Sequence, residues 1–102
     1  MATVMIPRVT IGYSDEQLVV TTAVQVLTPS KYAGRGGALS AFLTNYGAAV
    51  RYTFSGTSPS ATVGHVLPDG GTLVLIGQNQ MEAFKCYAIS ANSELYVTYE
   101  RE

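Results

Sequence analysis

His65 is the only histidine and Cys86 the only cysteine in a chain of 102 residues, so a catalytic or metal centre would have to be built around them. An imidazole can serve as a general base or hold a metal, but metal sites recruit several ligands and no second histidine exists. The nearest acid in sequence is Asp69. Asp15, Glu16 or Asp69 would have to be gathered by the fold, because no local spacing places them as ligands. A Cys86–His65 nucleophilic pair would need a third group to orient the imidazole, and the sequence signals none. Cys86 shares strand parity with Phe84 and Ala88, which reads as a small buried hydrophobe. The other carboxylates are dispersed: Asp15-Glu16 in a turn-like stretch, Glu100 and Glu102 on either side of Arg101. They read as solvated turn and tail charges, not as a working acid–base pair. Gly34-Arg35-Gly36-Gly37 is glycine-rich like a phosphate cradle, but no Lys-Ser/Thr follows it, and a flexible loop is the simpler reading. These residues predict a protein that is not an enzyme and needs no cofactor or metal.

Tyrosine is the residue type that stands out. The chain has seven, and no tryptophan. Tyr52 and Tyr99 fall on core parity, whereas Tyr87 and Tyr96 fall opposite Cys86 and Leu95 and should project from the other face. A tyrosine there can bury its ring against a partner and keep its hydroxyl satisfied. Tyr87 and Tyr96 are therefore candidate interface residues. Met5 and Ile6 join them, in an apolar segment interrupted by Pro7.

The elements that must position these residues read as short strands. Residues 1–12 suggest an N-terminal arm or edge strand, and 13–102 the domain proper. Residues 17–27 are β-rich and end at Thr28-Pro29-Ser30. Ala38 to Thr44 puts Leu39, Ala41 and Leu43 on one side. Asn45-Tyr46-Gly47 reads as the turn of a hairpin into Ala49–Ser55, where Val50, Tyr52 and Phe54 share a face. Pro68-Asp69-Gly70-Gly71 links Gly64–Leu67 to Thr72–Ile76. Gln78 to Phe84 reads as one helical turn, Lys85 to Ser90 as a strand, and Glu94 to Glu100 as the last, with Leu95, Val97 and Tyr99 alternating with polar or aromatic neighbours. The expected core is Val50, Tyr52, Phe54, Leu73, Leu75, Phe84, Leu95, Val97 and Tyr99. The pattern predicts an all-β fold: a single antiparallel β-sandwich of seven to eight short strands, with a jelly-roll-like order among the arrangements that fit.

Composition narrows the partners. The net charge is −1 and only 13% of residues are charged, about half the usual share of about 25%. Four stretches, residues 17–30, 36–50, 52–68 and 70–81, hold no Asp, Glu, Lys or Arg. No basic run offers a footprint for nucleic acid. No apolar run approaches the ~20 residues that span a membrane. The first residues lack the basic start and apolar stretch of a secretory signal, and a lone cysteine suits a reducing compartment. Strands this poor in charge suit faces covered by neighbours, which predicts a homo-oligomer or an ordered assembly.

Three segments resemble a small β-sandwich module of tailed-bacteriophage virions. That module carries an Arg-Tyr-Thr-x-x-Gly-Thr-x-Pro turn, here Arg51 to Pro59. It has a Gly-His-x-Leu return, here Gly64 to Leu67, and a closing strand Val97-Thr98-Tyr99-Glu100-Arg101. The likeness covers Val50 to Arg101, and more loosely Leu27 to Tyr32. It departs at Ser55, where the module often has an Asp-Gly turn. The resemblance implies a non-enzymatic virion structural protein, either a head decoration (cement) protein or a small head–tail junction or tail component. It implies the major capsid protein or other virion proteins as partners, and the virion as location after synthesis in the bacterial cytoplasm. The same Tyr-Thr-x-x-Gly-Thr-x-Pro turn also resembles one in carbohydrate-binding β-sandwich modules, which is the alternative reading.

Overall fold

The computed structural model describes residues 11–101. Eight strands and one short helix run in the order β1 (Ile11–Val20), β2 (Gln25–Val26), β3 (Ser40–Gly47), β4 (Val50–Thr53), β5 (His65–Leu67), β6 (Thr72–Ile76), α1 (Gln78–Ala83), β7 (Lys85–Ala88) and β8 (Ser93–Arg101). Alternation makes them strands of a two-layer fold. In β8, Ser93, Leu95, Val97 and Tyr99 are buried while Glu94 and Tyr96 are exposed. In β3, Ala41, Leu43 and Asn45 point in while Phe42 and Tyr46 point out. A period of two with one wet face is what an antiparallel sandwich requires.

The strands form two antiparallel sheets, β1-β8-β3-β6 and β2-β7-β4-β5. β1 pairs with β8, β2 with β7, β3 with β6 and β4 with β5. The chain is thus one long hairpin bent at β4–β5 and rolled so that successive pairs fall in alternate sheets, which is the jelly-roll order. The fold is the all-β sandwich expected from the sequence, and the helical turn before β7 is present as α1.

Between the sheets lie Val20, Ala41, Leu43, Leu75, Leu95, Val97 and Tyr99 from one layer, and Val50, Leu67, Cys86 and Ala88 from the other. Leu27, Tyr32, Ala38, Met81 and Phe84 complete the core. Each large side chain fully removed from water contributes roughly 1.5–3 kcal/mol. Phe54 departs from expectation, being 43% exposed. β4 ends at Thr53, so Phe54 lies beyond the ladder and stacks on Tyr52 and His65 instead. Tyr52 and Leu73 are partly buried and pack against the core.

Three other local expectations are corrected. β3 and β4 do not form a hairpin, because they belong to opposite sheets and Gly47 (φ +112°) turns the chain between them. Asn45 belongs to the strand rather than the turn, and is fully buried. Asp15 and Glu16 lie within β1, not in a turn. Ile11 and Gly12, expected in an N-terminal arm or edge strand, pair with Arg101 and Glu100 as the start of β1, which is the edge strand of its sheet. The rest of the arm, including Met5 and Ile6, lies outside the described residues.

Candidate interaction surface

Two polar clusters, one buried and one partly buried, tie the first sheet to its surroundings. Asn45 Nδ2 donates to Leu67 O at 3.0 Å, to Ala48 O at 3.0 Å and to Pro68 O at 3.2 Å. The Ser93 hydroxyl sits between Asn45 Oδ1 (2.5 Å) and Tyr46 O (2.7 Å). One amide thus joins β3, β8 and two turns at one end of the sandwich. Toward the other end, Glu16 points inward from β1. Its carboxylate accepts from the Tyr99 hydroxyl at 2.7 Å, from Thr28 N–H at 3.2 Å and from the Thr28 hydroxyl. Tyr32 stacks on Tyr99 with ring centroids 5.9 Å apart. Burial, then the hydrogen bond to Glu16, pushes the Tyr99 hydroxyl far above its usual range.

With the frame fixed, the outer face of the β1-β8-β3-β6 sheet is a set of rows read from the register. One row is Asp15, Thr98, Phe42 and Val74. The next is Gln17, Tyr96, Thr44 and Thr72. Beyond Phe42 and Val74, toward the start of β3, lie Glu100, Ser40 and Ile76. The face has two halves. On the β1–β8 side each carboxylate accepts a bond from a neighbour: Asp15 from the Thr98 hydroxyl at 2.8 Å, Glu94 from Gln17 at 2.8 Å and Glu100 from the Ser40 hydroxyl at 3.2 Å. On the β3–β6 side no charge occurs in the strands. Phe42 (42% exposed), Val74 (50%) and Ile76 (68%) present apolar surface to solvent there, and Tyr96 (44%) of the adjoining β8 borders them across Thr44. A patch of this kind, rimmed by polar groups, is the usual signature of a contact surface.

The sequence-derived candidates separate in space. Tyr96 belongs to this face. Tyr87 projects, partly buried, from the outer face of the other sheet, opposite Arg51, so the sandwich lies between the two tyrosines. Sequence reasoning missed Phe42, Val74 and Ile76. Thr72–Ile76 is apolar on both parities, which reads as a strand buried on both faces. Phe42, opposite in parity to Ala41 and Leu43, was the available signal.

No family model, curated protein or solved structure matches the chain. The site must therefore be read from its own chemistry.

Of the residues considered for catalysis, Cys86 lies inside the sandwich and His65 on its surface. Cys86 is buried, donates only a long bond to Gln25 O (3.6 Å), and its thiol is pushed up to about 12 by burial, far from nucleophilic at neutral pH. His65 stacks on Phe54 with centroids 6.1 Å apart and lies tilted against Tyr52 at 5.3 Å. Among the described residues no three of His, Cys, Asp and Glu converge. In the glycine-rich loop the Gly34 and Gly37 amides are already donated, to Gln78 Oε1 and Gly34 O, so they do not form an open cradle.

The Arg51–Leu67 segment is built as an anchored loop. Arg51, Thr53 and Lys85, on one face of the second sheet, donate to the carbonyls of Gly64 (2.8 Å), Thr57 and Gly56 (3.2 Å). Gly64, at φ +118°, lets the returning chain approach Tyr52, where a Cβ would lie 2.9 Å from Tyr52 O. Thr53, Phe54, Ser55, Gly64 and His65 line a depression of about 320 Å³.

Proposed function

We propose that this chain is a non-enzymatic structural protein of a tailed-bacteriophage virion, a capsid decoration protein that binds the outer head shell through the uncharged half of its β1-β8-β3-β6 face. The observation that carries the reading is the exposed group Phe42, Tyr96, Val74 and Ile76 on one solvent face, with no charge in β3 or β6. Water contact makes such a face unfavourable, and covering it against the major capsid protein or a neighbouring virion protein recovers roughly 25 cal/mol per Å² of apolar area. The resemblance of Val50 to Arg101 to virion β-sandwich modules supplies the class of partner. A place at the head–tail junction or in the tail rests on the same face. The test is mass spectrometry of purified particles encoding the chain, with release by mild denaturant. Recovery with the capsid proteins in many copies per particle supports the proposal, and absence from particles removes it.

A second reading, a carbohydrate-binding module, rests on the depression lined by Phe54 and His65. Aromatic rings beside an open hollow can stack on sugar faces. Saturable binding of a polysaccharide, lost in Phe54→Ala and kept in Phe42→Ala, would favour it over the shell.

A further inference from the structure

We infer that the free edge of β6 pairs with itself: two copies of this chain join antiparallel through Thr72–Ile76 into one eight-stranded sheet with a two-fold axis at Val74. The phase of the ladder sets this up. Asn45 N–H donates to Gly71 O at 2.9 Å and Gly77 N–H to Leu39 O at 2.7 Å. In the register between them, Leu73 and Leu75 turn their backbone groups to β3, while Thr72, Val74 and Ile76 turn theirs to the open side. Ile76 N–H is met there by Gln80 Oε1 at 2.7 Å. Among the described residues no strand pairs with Thr72 or Val74 on that side.

The two sheets have four edges, and the other three are blunted. β1 has a register shift between Gly12 and Ser14, an outward Asp15 and the inward carboxylate of Glu16. β2 is two residues long and β5 three. β6 is five residues of Thr, Leu, Val and Ile, without a charge, proline or bulge. Short strands, bulges and charges are how proteins block edge pairing, and β6 has none of them.

Charge and symmetry select the occupant. A copy that meets itself across a two-fold axis brings each residue near its own duplicate, so charges there would face like charges. β6 and its β3 neighbours on the outer face carry none. Centring on Val74 sets Val74 against Val74, and Thr72 against Ile76 of the second copy, whose amide Gln80 releases when that outer pair bonds. Because β1 is blunted, β6 cannot continue head to tail onto the next copy, and the assembly closes at two.

This inference concerns the isolated chain and stands apart from the shell-binding reading. Sedimentation velocity of the purified full chain should give twice the 10.8 kDa mass. Val74→Lys should give a folded monomer whose melting temperature no longer depends on protein concentration, since that side chain is already half exposed and only the contact between copies is lost. Thr72→Lys repeats the test at a second edge position, and Asp15→Lys on β1 should leave the dimer intact. Hydrogen exchange should find the Val74 amide protected in the parent and fast in Thr72→Lys. A parent that stays monomeric up to its solubility limit, or a dimer that survives both edge lysines, would overturn the inference. So would a monomer whose Val74 amide stays protected until residues 1–10 are removed, because the chain's own first residues would then occupy the edge.

Discussion

Asn45 shows how much of this fold hangs on single polar atoms. Its amide serves carbonyls from two turns and meets Ser93 at full burial. Asn45→Ala should cost about 1–3 kcal/mol, the penalty for leaving buried carbonyls without donors, read as a fall in the denaturation midpoint. Phe84→Ala should cost ~3–5 kcal/mol because the ring is fully buried, whereas Phe54→Ala should cost about 1 kcal/mol, the value of its stacking. Titration adds a further test. The Cys86 thiol is raised by burial from 9.0 to about 12, and Tyr99 and Tyr32 are raised in the same direction, chiefly by burial. In all three the neutral form is favoured by folding. Their contribution to stability is complete below the pKa of the unfolded chain and is lost as pH rises through the folded value. Denaturant midpoints should therefore hold up to about pH 9.0 and fall steadily toward about 12. Cys86 should resist thiol reagents near neutral pH until the protein unfolds.

At the scale of elements, legibility tracked burial. β8 was readable because one face is buried along its length and a one-residue slip would expose Leu95, Val97 and Tyr99 together. β1 was misread at Asp15-Glu16 because an inward carboxylate breaks the alternation, and only Tyr99 and Thr28, distant in sequence, make it tolerable. β3 and β4 read as a hairpin because proximity in sequence cannot say which sheet a strand enters. In a jelly roll only β4–β5 pair as sequence neighbours. The exposed face was half legible: Tyr96 stood out by parity, but Val74 and Ile76 were hidden in a run that looks wholly buried. The Gly-His step before β5 has a backbone cause. Gly64→Ala should lose at least about 1 kcal/mol, since a side chain there meets Tyr52 O at 2.9 Å in a left-handed conformation.

As a whole, the molecule is a jelly roll that buries its one cysteine and exposes a sheet face whose β3–β6 half carries no charge. The proposed role requires the β3–β6 half of this face to bind the virion shell. The most direct measurement is co-sedimentation of the purified chain with particles lacking it, comparing the parent with a Phe42→Ser/Tyr96→Ser double variant. Both residues are over two-fifths exposed and lie on the inner strands β3 and β8 rather than on the edge strand β6, so the variant should keep its fold. Binding of the parent should be saturable and weaken by about 2–4 kcal/mol in the variant, as expected for two aromatic anchors. Equal binding by parent and variant, or no binding by a folded parent, would contradict it.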